Sequence, residues 1–107
     1  MTHSSGDYLA YAFDGEVAVM KGKKADYFYV ALPREISDHI RHFTAHIQRG
    51  FKSLKVQAHI GSSHWDSSIF PSTRENTFIL LLSKKIRTAE GLAKGDITHI
   101  ELNVQMD

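Results

Sequence analysis

Hydrophobic and polar side chains alternate along much of the chain with the period of two that is typical of half-buried β-strands. The clearest case is 54–60, where the apolar residues on one face are Leu54, Val56, Ala58 and Ile60. Alternation also predicts a strand over 97–104. Composition predicts a strand over 27–32, and 77–82 is apolar at nearly every position, as in a strand covered on both sides. Further strands are predicted over 64–70 and over 8–20, the last with a bend at Asp14-Gly15. Residues 61–63 read Gly-Ser-Ser, which predicts a turn that joins two of these strands as a hairpin.

Two stretches change to the spacing of an α-helix. The first begins at Pro33, a favourable residue there because it lacks the N–H that would be unpaired. Its apolar stripe ends before Gly50 and consists of Ile36, Ile40, Phe43 and Ile47. The second covers 84–90, with Ser83 as its predicted N-cap and Gly91 as its stop. These elements predict an all-β fold with two short α-helices, arranged as a β-barrel with helical caps.

The chain also contains an internal repeat with a spacing of fifty residues. Segment 27–38 aligns with 77–88 without a gap, and Phe28, Leu32 and Ile36 fall on identical residues. Each copy has a strand, a sharp entry into a helix, and a further strand. Such a duplicated unit predicts a small closed barrel with a pseudo-twofold axis. The alternative is two unrelated strand–helix corners.

Composition places the chain among ordinary globular domains and narrows its chemistry. Its 107 residues are 42% hydrophobic, which suits one domain, predicted over 8–107 after a loose segment at 1–7. Lys and Arg total 13 against 12 for Asp and Glu. This balance argues against a nucleic-acid-binding protein whose affinity comes from a large excess of positive charge. The absence of cysteine excludes disulfides and thiolate chemistry. No apolar run is long enough to span a membrane and the start does not resemble a signal peptide, so we expect a cytoplasmic protein.

The stretch 65–96 combines several short motifs in order: Trp65, Ser-Ile-Phe-Pro at 68–71, Lys85, Arg87, Ala-Glu-Gly-Leu at 89–92, and Gly95-Asp96. Together with 27–33 and 50–56, these motifs resemble the domain of unknown function 1905 family over about residues 13 to 104. One departure is Ser83, where the family usually has proline. A serine can still start the helix by capping it, so the fold is unaffected.

The resemblance implies a small closed β-barrel of the double-split type, similar in architecture to the AbrB/MazE-like transition-state regulators and antitoxins. Those proteins use a strand–helix–Gly-Asp–strand unit like 82–100 and dimerise to complete the barrel. Here both halves would lie in one chain. The resemblance implies no activity, since no function is established for the family.

The only tryptophan, Trp65, has two interpretations. It is either a core anchor, which we favour, or part of a ligand pocket at one end of the barrel with Ser68 and Phe70. His64, Asp66 and Ser68 also alternate on one face of a strand. A catalytic triad needs the histidine between the other two residues, so solvent-facing polarity is favoured over catalysis.

The first predicted helix carries candidate metal ligands. One stripe beside its apolar residues holds Glu35, His39, His42 and His46, and these residue types at such spacing suit zinc or another divalent ion. The favoured interpretation is the solvated flank of an amphipathic helix, because no other segment offers an obvious complementary ligand. We therefore expect no metal and no cofactor.

A basic surface is the remaining candidate site. Residues 21–55 hold eight bases against three acids, and the second helix adds a cluster at its start. A face that meets phosphates would include Lys23, Lys24, Arg34, Lys84, Lys85 and Arg87. Ordinary solubilising charge is the favoured alternative.

These observations favour a non-enzymatic binding module for a small ligand or a protein partner. An AbrB-like nucleic-acid-binding regulator is the alternative. An enzyme of unknown reaction comes third, because no nucleophile or acid–base set has a workable spacing. We expect a monomer or homodimer without membrane attachment.

Overall fold

The computed structural model describes residues 8–45 and 53–106. Within these ranges the chain is mostly β with two short α-helices, as the sequence predicts. The elements in chain order are β1 (Tyr8–Glu16), β2 (Ala18–Met20), β3 (Tyr27–Ala31), α1 (Arg34–Thr44), β4 (Leu54–Ile60), β5 (Ser63–Ser72), β6 (Thr77–Leu81), α2 (Lys84–Glu90) and β7 (Ile97–Gln105). The predicted loose segment 1–7, and Ile47 and Gly50 of the predicted first helix, lie outside the described residues.

The strands form one curled antiparallel sheet in the order β1-β7-β4-β5-β6-β3-β2. The inside of the curl holds the hydrophobic core. On β4 the predicted apolar face is buried and the polar face is exposed. On β7, Ile100 is buried whereas Ile97, on the opposite face, is 66% exposed. Burial of the inner face is the main favourable contribution to folding.

The first predicted strand is two strands in the structure, and the break lies at Val17 rather than at Asp14-Gly15. Gly15 continues β1 and pairs with Thr98, and a Cβ there would crowd the neighbouring core side chains. β1 pairs with β7 and β2 pairs with β3, so consecutive strands lie at opposite edges of the sheet. The Val17 N–H donates to the Asp96 carbonyl at 2.8 Å, and the Val17 carbonyl accepts from the Gly95 N–H at 2.8 Å.

Both helices begin just after a strand ends. α2 covers the predicted residues, and the Ser83 Oγ accepts a hydrogen bond from the Ile86 N–H at 3.3 Å. Gly91 ends this helix with a φ of 64°, a conformation that other residues rarely adopt. α1 begins after Pro33 and buries Ser37 against the sheet. Neither helix of the described ranges has the length and apolar character needed to cross a membrane.

The two strand–helix units match each other through their pairing. β3 and β6 are antiparallel neighbours, and the Leu32 N–H donates to the Phe78 carbonyl at 2.9 Å. The same bond shifted by fifty residues is also present, since the Leu82 N–H donates to the Phe28 carbonyl at 2.8 Å. A shift of fifty residues therefore exchanges the two units.

The flanking strands follow a similar relation. β1 and β2 together are equivalent to β5. Ala18 pairs with Tyr29 of β3, and Phe70 pairs with Ile79 of β6, which is the residue fifty positions after Tyr29. In the same register Phe13 matches Trp65, and β7 matches β4. We call α1 with β1, β2, β6 and β7 the first half and α2 with β3, β4 and β5 the second half, and positions related in this way are equivalent.

Candidate functional site

The three residues predicted to share a ligand pocket lie on two faces of β5. Trp65 faces the inside of the sheet, whereas Ser68 and Phe70 lie on its outer face, because successive side chains of a strand alternate. Trp65 packs against the core and also lines a groove. Ser68 and Phe70 line a different groove. The structure therefore has two candidate sites in place of one.

The first site, which we call the Trp65 groove, lies where β6 leaves β5 and leads into α2. β5 pairs with β6 only from Ile69 to Ser72, so β5 is open toward α2 near Trp65. The groove has a volume of about 450 Å³. Its lining includes Asp26, Tyr27, Phe28, Trp65, Ser67, Lys84 and Arg87.

Arg87 is held in place within this groove. Its guanidinium carbon lies 3.7 Å from the centre of the Phe28 ring, a cation–π contact. Its Nε also donates to the Leu82 carbonyl at 3.3 Å. Phe28 belongs to β3 and Leu82 directly follows β6, so the sheet fixes the position of this positive charge.

The remaining polar side chains of the Trp65 groove are mostly hydrogen-bond donors. Those of Tyr27, Trp65, Ser67 and Lys84 make no hydrogen bond or ion pair to another described residue. The acid of the groove, Asp26, is paired with Lys21 at 3.2 Å. The groove therefore offers free donors and positive charge, which complement an acidic ligand rich in acceptors.

The structure separates the predicted basic residues. Lys84 and Arg87 line the Trp65 groove, whereas Lys85 lines a smaller recess of about 350 Å³ on the other side of Trp65. Lys23 and Lys24 lie in the loop that leads into β3. Arg34 begins α1 and so lies beyond the far end of β3, because β3 and β6 run in opposite directions.

The predicted metal ligands of α1 are not gathered at a metal centre. Glu35, His39 and His42 are exposed, and His46 lies outside the described residues. His39 Nδ1 and the Tyr11 hydroxyl are hydrogen-bonded at 2.6 Å, and burial raises the pKa of Tyr11. In the described part of the chain, no three His, Asp or Glu side chains have the arrangement of a metal site.

The second site, which we call the outer groove, lies on the outer face of the sheet and has a volume of about 690 Å³. Its side chains include Lys55, Gln57, Asp66, Ser68, Phe70 and Gln105. The sequence prediction missed Lys55, Gln57 and Gln105. Their alternation with the buried residues of β4 and β7 is the signal that could have placed them on this face.

His64, Asp66 and Ser68 share the outer face of β5, as their alternation predicts. The His64 ring packs edge-on against the His59 ring, with 5.9 Å between the ring centres. His64 is therefore directed toward His59 of β4.

The fold and its grooves define a small, mostly β domain in which two strand–helix units share one curled sheet. Residues 13–102 match the family described as a domain of unknown function, DUF1905. The chain belongs to this family, which confirms the resemblance seen in the sequence. A search of the curated proteins finds no match.

Proposed function

We propose that the protein is a non-enzymatic binding module whose Trp65 groove takes a small acidic ligand with a flat apolar part. The observation that carries the proposal is a difference between the halves. The fold builds the same corner twice, and the positions that line the Trp65 groove as Tyr27 and Arg87 in the second copy hold the buried residues Thr77 and Ser37 in the first.

Equivalent positions in the first half hold smaller, buried residues. Thr77, equivalent to Tyr27, is 2% exposed, whereas Tyr27 is 50% exposed. Ser37, equivalent to Arg87, is 1% exposed. Since the fold accommodates a packed corner at these positions, stability alone does not require an open groove in the second half. An open groove is the typical form of a ligand site.

The chemistry of the groove supports an acidic ligand with a planar group. The ammonium of Lys84 and the guanidinium of Arg87 would attract a carboxylate or phosphate. The exposed ring of Tyr27 and the indole of Trp65 offer flat apolar surface to the remainder of the ligand. The free donors of this groove would satisfy the acceptor atoms of such a ligand.

The test uses the fluorescence of Trp65, the one tryptophan of the chain, which lines this groove and also the recess beside Lys85. The protein is titrated with benzoate and with phenyl phosphate, and with benzyl alcohol as the uncharged control. We expect saturable fluorescence changes for the two anions. Lys84→Gln should weaken their binding about tenfold, the effect of losing one charge-assisted hydrogen bond.

Arg34→Gln is the matched control, because Arg34 occupies the equivalent position at the start of α1. It should leave the affinity unchanged. Binding of benzyl alcohol as tight as that of the anions would contradict the proposal. So would equal weakening by Lys84→Gln and Arg34→Gln, since a local site cannot respond to both.

Binding of single-stranded nucleic acid is the second candidate. The observation that favours it is that the groove combines Lys84 and Arg87 with Tyr27 and Trp65, and cations beside stacking aromatic rings suit such strands. Anisotropy of labelled DNA at several salt concentrations separates the candidates. The logarithm of the binding constant is plotted against the logarithm of the salt concentration. A slope that corresponds to about three or more neutralised phosphates would favour nucleic acid, and no binding at low salt would exclude this candidate.

The proposal includes a closed barrel of the double-split type with AbrB-like architecture. Its support is that β1 and β2, at opposite edges of the sheet, are joined through Val17. The places where β5 diverges from β6, and β1 from β3, would be the two splits, each next to a helix. The cytoplasmic location and the monomeric or homodimeric state stay predictions.

A further inference from the structure

We propose that the outer groove is a second binding site, independent of the Trp65 groove, for a neutral polyhydroxylated ligand such as a monosaccharide. Most of its polar side chains lie on the opposite face of β5 from Trp65, and Ser67 and Leu81 are the residues that line both grooves. The proposal stands on three observations, which concern the spacing, the free hydrogen-bonding groups and the charge of the groove.

The polar side chains of the outer groove form a regular grid. Gln57 lies directly opposite Asp66, and Lys55 lies directly opposite Ser68, on the paired strands β4 and β5. Opposite side chains are about 5 Å apart across the strands and about 7 Å apart along them. A grid of this size matches one sugar ring, whose hydroxyl groups project outward around its edge.

The hydrogen-bonding capacity of this grid is unused. The side chains of Lys55, Gln57, Asp66, Ser68 and Gln105 make no hydrogen bond or ion pair to another described residue. The glutamine amides and the serine hydroxyl both donate and accept, the carboxylate accepts, and the ammonium donates. Sugar hydroxyls also donate and accept, so they suit such a mixed set better than an ion of one sign does.

At the equivalent positions of the other half, the polar side chains form a hydrogen bond with each other. Asp14 and His99 are equivalent to Asp66 and Gln57 and are likewise opposite each other on paired strands. His99 Nδ1 and Asp14 Oδ1 form a hydrogen bond of 2.8 Å. The same place in the fold therefore holds a closed polar pair in one half and two open groups in the other.

Charge and apolar surface complete the match to a neutral polyol. Lys55 and Asp66 carry opposite charges, so together they give the groove no net preference for anions or cations. Phe70, half-buried on the same face, supplies an aromatic surface. The C–H groups on one face of a sugar ring are apolar and can pack against such a ring.

The test is a titration of the isotope-labelled full chain, followed by backbone amide chemical shifts, with glucose, galactose, mannose and N-acetylglucosamine. We expect at least one sugar to cause saturable shifts in β4 and β5 around Gln57 and Asp66. Asp66→Ala should weaken this binding about tenfold, and Asp14→Ala, at the equivalent position, should not change it. Both side chains are exposed, so both variants should fold.

Three results would overturn the proposal. The first is the absence of saturable shifts at about 50 mM of every sugar, well above a Kd of about 1 mM. The second is equal weakening by Asp66→Ala and Asp14→Ala. The third is a stronger response of the same amides to glycine than to any sugar, because a zwitterion would then be the better fit to Lys55 and Asp66. Benzoate responses at the Trp65 groove are read separately, so either proposal can fail alone.

Discussion

The first and second halves build the same strand–helix corner and complete it with different chemistry. In the first half, Thr77 Oγ1 donates to the Leu32 carbonyl at 2.9 Å and also bonds the Ser37 hydroxyl. The Ser37 Oγ in turn accepts from the Phe78 N–H at 3.0 Å. In the second half, the carbonyl equivalent to that of Leu32 accepts from the Arg87 guanidinium instead.

The comparison separates the needs of the fold from those of a site. Each corner must satisfy one carbonyl at the end of its strand, since an unpaired buried carbonyl is costly. Two small hydroxyl residues do so in the first half and leave no free capacity. A long charged side chain does so in the second half with one nitrogen, and its other donors remain for a partner.

The largest expected effect comes from placing the arginine of the second half at the equivalent position of the first half. Ser37→Arg would force a large charged side chain into a site where the serine is 1% exposed and bonded to two partners. We expect the free energy of unfolding to fall by about 3 kcal/mol, because overpacking and a buried charge act together. Urea unfolding followed by circular dichroism measures this change.

The reverse exchange, Arg87→Ser, is the control for the difference between the corners. It removes a partly exposed cation–π contact and one hydrogen bond, so we expect a loss of about 1 kcal/mol. Equal losses for the two variants would mean that the corners do not differ in packing as described.

A smaller effect concerns Tyr29, whose equivalent in the other half is the apolar Ile79. The Tyr29 hydroxyl donates to Glu75 Oε2 at 2.5 Å, and this hydrogen bond, with burial and the charge of Glu75, raises the pKa of Tyr29. Tyr29→Phe should lower the free energy of unfolding by about 1 kcal/mol at neutral pH. The measurement is urea unfolding of both proteins across an alkaline pH series.

The pH dependence follows from the direction of the pKa shift. A pKa raised in the folded state stabilises it fully below the unfolded value of about 10, and this stabilisation is lost as the pH rises through the folded value. The difference between wild type and Tyr29→Phe should therefore shrink above about pH 10. Ile79→Val should cost about 1 kcal/mol with no such pH dependence, and a constant difference for Tyr29→Phe would contradict the assignment.

The smallest expected effect is at the start of α2. Pro33 and Ser83 are equivalent, and their φ angles of −55° and −69° both suit proline. Both Ser83→Pro and Ser83→Ala lose the cap, but the fixed φ of proline offsets that loss. Ser83→Pro should therefore change the free energy of unfolding by less than about 0.5 kcal/mol, whereas Ser83→Ala should cost about 1 kcal/mol. Thermal unfolding of the two variants distinguishes them, and a larger loss for Ser83→Pro would show that the two helix starts are not interchangeable.

The elements of the fold were predictable because their signals are local. Ser83 and Gly91 mark the ends of α2, and Gly61, with a φ of 58°, allows the predicted turn between β4 and β5. The break at Val17 was not predictable, since bonds to residues far along the chain hold it.

The candidate sites were predictable only in part. The alternation of β5 already separates Trp65 from Ser68 and Phe70, so the error of grouping them was avoidable. The stacking of Arg87 on Phe28 was not, because it joins segments that are distant in sequence. Sequence patterns give the face of an element on which a residue lies, and tertiary packing decides which faces meet.

The junction at Val17 has a consequence for how the protein opens. A sheet usually frays at its edges, where strands detach one at a time and exchange their amide hydrogens early. Here the two edge strands are one continuous stretch of chain, joined at a residue bonded through both its N–H and its carbonyl. Detachment of β2 from β3 therefore also disturbs the pairing of β1. The amide hydrogens of both strands should exchange through one opening event, with a common free energy. The short β2, which would be labile alone, thus shares the protection of its nine-residue neighbour.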